Sequence, residues 1–217
     1  KLSETDCGVI GFAGTTARIS ALCGIGLSRA HWRSNYIQHM NKGGMKSCFK
    51  NPDRVEFSPV VSVDGMCLFV SRKVWQKVRF DEKTFPNFHL YDLDFTTAVF
   101  RAGCINYICN TVIVEHFSEG YYTQEWLAAT IDFNNKWRNA LPLYVSGFPC
   151  IKNLDRYVRS REFRFIKAMM KSRGKCSWEL IDGLCRQYYR KYPFYRSIVV
   201  WFHAYRYRKR WKREGRL

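Results

Sequence analysis

Between Val63 and Ser118 the sequence sets acids and one histidine at turn-like breaks in apolar runs: Asp64-Gly65, Asp81-Glu82, Asp92 with Asp94, and His116. Acids are scarce in this chain, 18 Asp and Glu against 36 Lys and Arg, so their gathering in one stretch is informative. The chemistry open to such residues is proton transfer and cation binding. Asp92 follows the polar, aromatic loop His89-Leu90-Tyr91 and can accept a proton from an attacking hydroxyl. Asp64, at a strand break, can accept hydrogen bonds from sugar hydroxyls. His116, at the C-terminal end of a strand, can ligate a metal through neutral imidazole, and a metal on a diphosphate stabilises leaving-group charge. Each residue also has a plainer use. Asp92 and Asp94 can cap a helix and favour its positive end, Asp64 can hold a turn, and His116 can be a satisfied structural histidine.

A frame of strands and helices must position these groups. Cys7 to Gly14 reads as a short buried strand running into a glycine turn. Thr15 to Asp53, with Gly24, Gly26, Gly43 and Gly44 scattered through it, reads as a long excursion over the sheet with short helical pieces. Glu56 to Val63 and Met66 to Ser71 read as strand, interrupted at Asp64-Gly65. Ser71 then caps a short helix, Arg72 to Lys77, with Val74 facing inward. A helix capped by Asp92 or its neighbour runs through Ala102, with Phe95, Ala98, Val99 and Ala102 at helical spacing and Gly103 as its C′ residue. Ile105 to Val114 is a β-branched strand ending at Glu115-His116. A further helix runs from Thr123 to about Asn139 and is ended by Pro142. This alternation predicts an α/β fold, a mixed sheet with flanking helices, whose site lies outside the strand ends.

The chain of 217 residues is 47% hydrophobic, which supports a real core and excludes a disordered chain. Its charge is uneven: residues 1–151 hold 16 Lys and Arg against 13 Asp and Glu, and residues 152–217 hold 20 against 5. The expected division is therefore a domain over 1–150 and a basic, aromatic helical extension over 151–217. Helices are expected at Arg161–Lys171, Trp178–Lys191 and Phe194–Lys212, separated by Gly174 and Pro193. The last mixes Ile198, Val199, Trp201, Phe202 and Tyr205 with cations. That pattern suits an anionic membrane surface first, plain packing on the domain second and nucleic acid third. Nine cysteines without a C-x-x-C pair exclude the common zinc spacing and predict buried, reduced thiols in a cytoplasmic protein. No signal peptide is visible, and the apolar run Ile198 to Phe202 is too short to span a bilayer.

The order VDG, FDE, YDLDF, a helix ending in glycine, then VEHFSEG (Val63 to Gly120) resembles the C-terminal half of a GT-A glycosyltransferase domain. It is closest to the family-2-like group that includes the StrF-like proteins of streptomycin biosynthesis, over about Gly8 to Pro142. The resemblance implies a partial GT-A-like fold that transfers a sugar from a nucleotide-sugar donor to a hydroxyl acceptor with inversion. The setting it implies is cell-surface glycan or glycolipid synthesis. Asp92 matches the general base, and Tyr91 stands where the family has a glutamate. Asp94 matches a following acidic position. Asp64 and Gly65 match the segment lining the donor sugar and acceptor, with His89 in the loop beside them. Lys136 and Trp137 match a basic-Trp element near the acceptor or diphosphate. His116 matches a histidine that helps hold a divalent cation, Mn²⁺ or Mg²⁺, on the diphosphate. The expected partners are the donor, a glycan or lipid-linked acceptor, and an anionic membrane at the inner face of the cell membrane. The family's nucleotide-binding half precedes the matched region, so the chain is expected to be a piece lacking it. The rival expectations are a non-catalytic glycosyltransferase-like binding or scaffold protein, and a nucleic-acid-binding protein acting through the basic C-terminus.

Overall fold

The computed structural model describes residues 1–22, 29–118, 120, 123–149, 151–171, 176–193 and 196–215. Gly24, Gly26, Glu119, Gly174 and Phe194 lie outside the described residues. Among the described residues the chain is mixed α/β, with several sheets and six α-helices, and it divides into two compact units.

The first unit comprises 1–20, 24–120 and 132–150. Its strands bend from one sheet into another. Strand β1 (Cys7–Gly11) lies in a four-stranded sheet, and after Phe12 the chain enters β2 (Ala13–Thr15) in a five-stranded one. Strands β6 (Phe57–Val60) and β7 (Ser62–Val63) repeat this switch around Val61. Short strand β3 (Ala17–Arg18) pairs with β11 (Leu143–Tyr144). The expected excursion over 15–53 is instead largely sheet, because β4 (Trp32–His39) and β5 (Met45–Lys50) form an antiparallel hairpin from Ser34↔Lys50 to His39↔Met45. Gly43 and Gly44 close it at φ +87° and +88°, a conformation that costs glycine little. Gly43 and Gly44, two of the glycines that look scattered in the sequence, are thus a hairpin turn.

The four-stranded sheet has the order β6-β9-β1-β8, with β8 at Phe69–Val70 and β9 at Ile105–Cys109. The five-stranded sheet runs β10-β4-β2-β7, with β5 also on β4 and β10 at Val114–His116. The single strand expected from Ile105 is therefore two strands in two sheets. Helix α1 (Arg72–Lys77) is capped by Ser71, whose Oγ accepts from the Val74 N–H, and Val74 is buried. Helix α2 (Tyr91–Arg101) packs Phe95 and Val99 against Val9 and Val74, and Gly103 follows it at φ +88°.

Asn106 ties α2 to both sheets. Its Oδ1 accepts from the Val9 N–H at 3.0 Å, where the β1–β9 register slips. Its Nδ2 donates to the Val61 and Thr96 carbonyls at 2.8 and 2.7 Å. The side chain is fully buried, so it satisfies three backbone groups that water cannot reach.

The second unit comprises 21–23, 121–131 and 151–217. Helix α3 (Gln124–Trp137) gives it residues to Ile131 and gives the first unit residues from Asp132. Thr123 caps that helix, its Oγ1 accepting from the Trp126 N–H at 3.2 Å. Helices α4 (Leu154–Lys171), α5 (Trp178–Lys191) and α6 (Arg196–Arg213) pack on one another around Phe165, Met169, Ile181, Leu184, Val200 and Trp211. Ser177 caps α5, its Oγ accepting from Leu180 N–H. No helix among the described residues is long and apolar enough to cross a membrane.

Candidate functional site

Asp64 and Asp92 come together because a strand ends where a helix begins. Asp64 follows β7, and its N–H donates to the Ala13 carbonyl, which holds it beside β2. Its Oδ1 accepts from the Met66 N–H at 3.2 Å, a turn that exposes Gly65 to α2. Asp92 lies in the first turn of α2, and its Oδ2 accepts from the Gly65 N–H at 2.6 Å. The approach requires glycine. A Cβ on Gly65 would stand 2.9 Å from Asp92 Cβ and 3.0 Å from Tyr91 Oη.

The helix cap differs from the expectation. The N-cap position is Leu90, a buried leucine in the left-handed region at φ 63° with no capping side chain. Such a conformation costs a non-glycine residue about 1 kcal/mol and sits immediately before Tyr91 and Asp92. Asp92 stands one turn-position inside and serves Gly65 and the helix's own first N–H groups.

Electrostatics follow from this crowding. Burial, then the charge of Asp64, pushes the Asp92 carboxyl up to about 6, against the pull of the Leu93 and Gly65 N–H groups. Burial also raises Asp64. The Tyr91 phenol is raised by burial and then by both carboxylates. A half-buried carboxyl that titrates near neutrality can hold or release a proton at cellular pH.

His116 sits at the same end of the five-stranded sheet, since β7 and β10 both run parallel to β4. Gln38 fixes its tautomer. The Gln38 Nε2 donates to the carbonyls of His39, His116 and Ser118, so its Oε1 must face His116 Nδ1, 2.9 Å away. Nδ1 therefore carries the proton and Nε2 keeps its lone pair. Burial lowers the His116 pKa, which keeps the ring neutral. This geometry fits His116 as one ligand of a divalent ion through Nε2. Among the described residues no three His, Cys, Asp or Glu side chains gather as a metal site, so an ion there would take its other ligands from a diphosphate and water.

Two strands, β2 and β4, lie between Asp64 and His116, and the register sets their backbones roughly 15–20 Å apart. Ligand bonds of about 2 Å cannot let one ion touch both. Tyr36 occupies the interval: its ring meets His116 edge-on at 6.1 Å between centroids. Burial, then Cys48, then the charge of Asp64 raise its phenol. Tyr36 and Gln38 were missed from sequence because they lie in the segment read as an excursion. Their nearest signal was the Gly43-Gly44 turn, which closes the hairpin that holds them.

The other expected site residues form a different group. Asp94 is 1% exposed, and its carboxylate is held by Lys136 Nζ and Trp137 Nε1, each at 2.8 Å. Lys136 also reaches Asp81 at 2.8 Å. Burial lowers the Lys136 pKa, but the two carboxylates outweigh it and leave the pKa raised. Asp81 is held far below the ordinary carboxylate range, first by Lys136 and then by Thr84. Asp94, Lys136 and Trp137 thus hold α2 to the end of α3, with their polar atoms engaged on one another. His89 is half-buried, its ring 5.8 Å from the exposed Phe88.

No protein-family model, no curated protein and no solved structure matches the chain.

Proposed function

We propose that the first unit carries the acceptor side of a GT-A-like glycosyltransferase site. The observation that carries this reading is the Asp64–Asp92 pair around Gly65, with Asp92 raised to about 6 at the start of α2. Asp92 takes the proton of the acceptor hydroxyl as that oxygen bonds to the anomeric carbon of the donor sugar. The bond from that carbon to the nucleoside diphosphate breaks, and the diphosphate leaves with the electron pair. Asp64 and Tyr91 place hydrogen-bonding groups beside the acceptor and sugar, and Gly65 gives them room. His116, kept neutral and oriented by Gln38, offers Nε2 to a divalent ion, which supplies charge neutralisation on the diphosphate when bound. Asp94, Lys136 and Trp137 hold Asp92's helix in place.

The full-length protein, with the donor-binding half that the resemblance implies, should release nucleoside diphosphate when incubated with a panel of nucleotide sugars, Mn²⁺ and candidate glycan or lipid-linked acceptors. Asp92→Asn should lower that release by about 10²–10⁴-fold and leave donor binding intact. Turnover by Asp92→Asn at the parent rate would refute the base. Failure of the full-length protein to bind any donor would favour a non-catalytic binding role for the same fold.

A further inference from the structure

The helical unit carries a second concentration of functional groups, on α4 and α6. The inner side of α6 is Val200, Ala204 and Trp211, spaced to join the core of that unit. Its outer side is not polar, as a solvated helix would be. Ile198, Trp201, Phe202 and Tyr205 are 62%, 57%, 50% and 54% exposed. Trp201 and Tyr205 stack with their rings 5.8 Å apart, which makes a continuous patch. Single exposed apolar residues are ordinary, but four within about two turns of one helix are not.

Further along α6 the surface becomes cationic. Lys167 and Lys171 of α4, with Arg206, Lys209, Arg210 and Arg213 of α6, line an open groove of ≈ 580 Å³. Tyr205 belongs both to the groove wall and to the aromatic patch, so the two are one surface. His203 also lines the groove. Burial, then Lys167, Arg206 and Lys171, lower its pKa, so it stays neutral there. Glu214 pairs with Arg210 at 2.7 Å, but residues 152–217 hold only 5 acids against 20 bases, so the groove stays strongly positive. Like charges gathered this closely repel, and an anion with several oxygens relieves that repulsion.

We propose that α4 and α6 form a docking surface for an anionic membrane. A lipid headgroup phosphate seats in the groove among Lys167, Lys171 and Arg206, while Ile198, Trp201, Phe202 and Tyr205 enter the interfacial layer. The aliphatic part of the patch, Ile198, decides for a bilayer over a nucleic acid. Cations neutralise either polyanion, but an exposed aliphatic Ile198 beside Phe202 gains only from leaving water, which a bilayer interface provides.

The test mixes the full chain with vesicles of phosphatidylcholine alone and of phosphatidylcholine doped with phosphatidic acid. Sedimentation should be confined to the anionic vesicles, and brominated acyl chains should quench the Trp201 fluorescence. The pair Lys167→Glu and Lys171→Glu should weaken binding by about tenfold or more. The pair Trp201→Ser and Phe202→Ser should weaken it similarly and remove the quenching. Circular dichroism checks that both variants keep their helices. Equal binding to both vesicle types, or wild-type binding by both folded variants, would overturn the proposal. So would absence of vesicle binding together with steeply salt-dependent binding to single-stranded RNA.

Discussion

At the scale of single residues, the candidate site depends on what Gly65 lacks. The Asp92 carboxylate reaches the Gly65 N–H at 2.6 Å because no side chain intervenes. Gly65→Ala introduces a methyl within 3.0 Å of Asp92 Oδ2 and Tyr91 Oη, and both neighbours belong to the first turn of a packed helix. The substitution should cost about 1–3 kcal/mol. Thermal unfolding reads that loss, and stability equal to the parent would show that Asp92 does not need this approach. The acids themselves were legible in the sequence as polar breaks in apolar runs. The pairing of Asp92 with Gly65, 27 positions away, was not, because a glycine after an aspartate also reads as an ordinary turn.

At the scale of elements, α2 is fixed by two polar clusters. One is Asn106, which bonds Val9, Val61 and Thr96. The other is Asp94 with Lys136 and Trp137. Asn106→Ala leaves two carbonyls and one N–H buried without these partners. The expected cost is about 3 kcal/mol or more, read as a drop in the urea midpoint. A change below about 1 kcal/mol would mean that water or a backbone shift replaces the amide. Helices α1 and α5 were legible to within a residue or two, since Ser71 announces the start of α1, and Gly174 and Pro193 set off the stretch that forms α5. The β4–β5 hairpin was not read. Its outer strand, Met45–Lys50, is mostly solvent-facing and has no hydrophobic alternation, and the Gly43-Gly44 turn was the sole strong cue. The change of sheet at Phe12 and Val61 was also hidden. A continuous apolar run looks the same whether or not it bends between sheets.

At the scale of the whole molecule, the division of charge was plain from the sequence and corresponds to the division into two compact units. The first unit is nearly balanced and brings acids to one end of a sheet, whereas the helical unit concentrates the cations. The acids at that end make stability depend on pH. The Asp92 carboxyl titrates near 6 in the folded chain, against an ordinary 3.8. The folded state therefore binds this proton more tightly than the unfolded state does. Below about pH 4 both states are protonated and nothing is lost. As pH rises through about 6, ionisation of the buried carboxyl removes up to about 3 kcal/mol. Asp92→Asn should accordingly be more stable than the parent at neutral pH and lose that advantage near pH 4. Urea unfolding at the two pH values measures the difference, and an equal offset at both would count against a raised carboxyl.

The proposed chemistry requires that burial and Asp64 hold Asp92 in a state where it can take a proton near neutrality. Carbon NMR of the aspartate carboxyls in the full chain, titrated with pH and assigned through Asp92→Asn, measures this without any knowledge of substrate. The Asp92 signal should titrate near 6 and move down in an Asp64→Asn variant, where the neighbouring charge is gone. An Asp92 carboxyl that titrates near 4 in both proteins would contradict the proposed base.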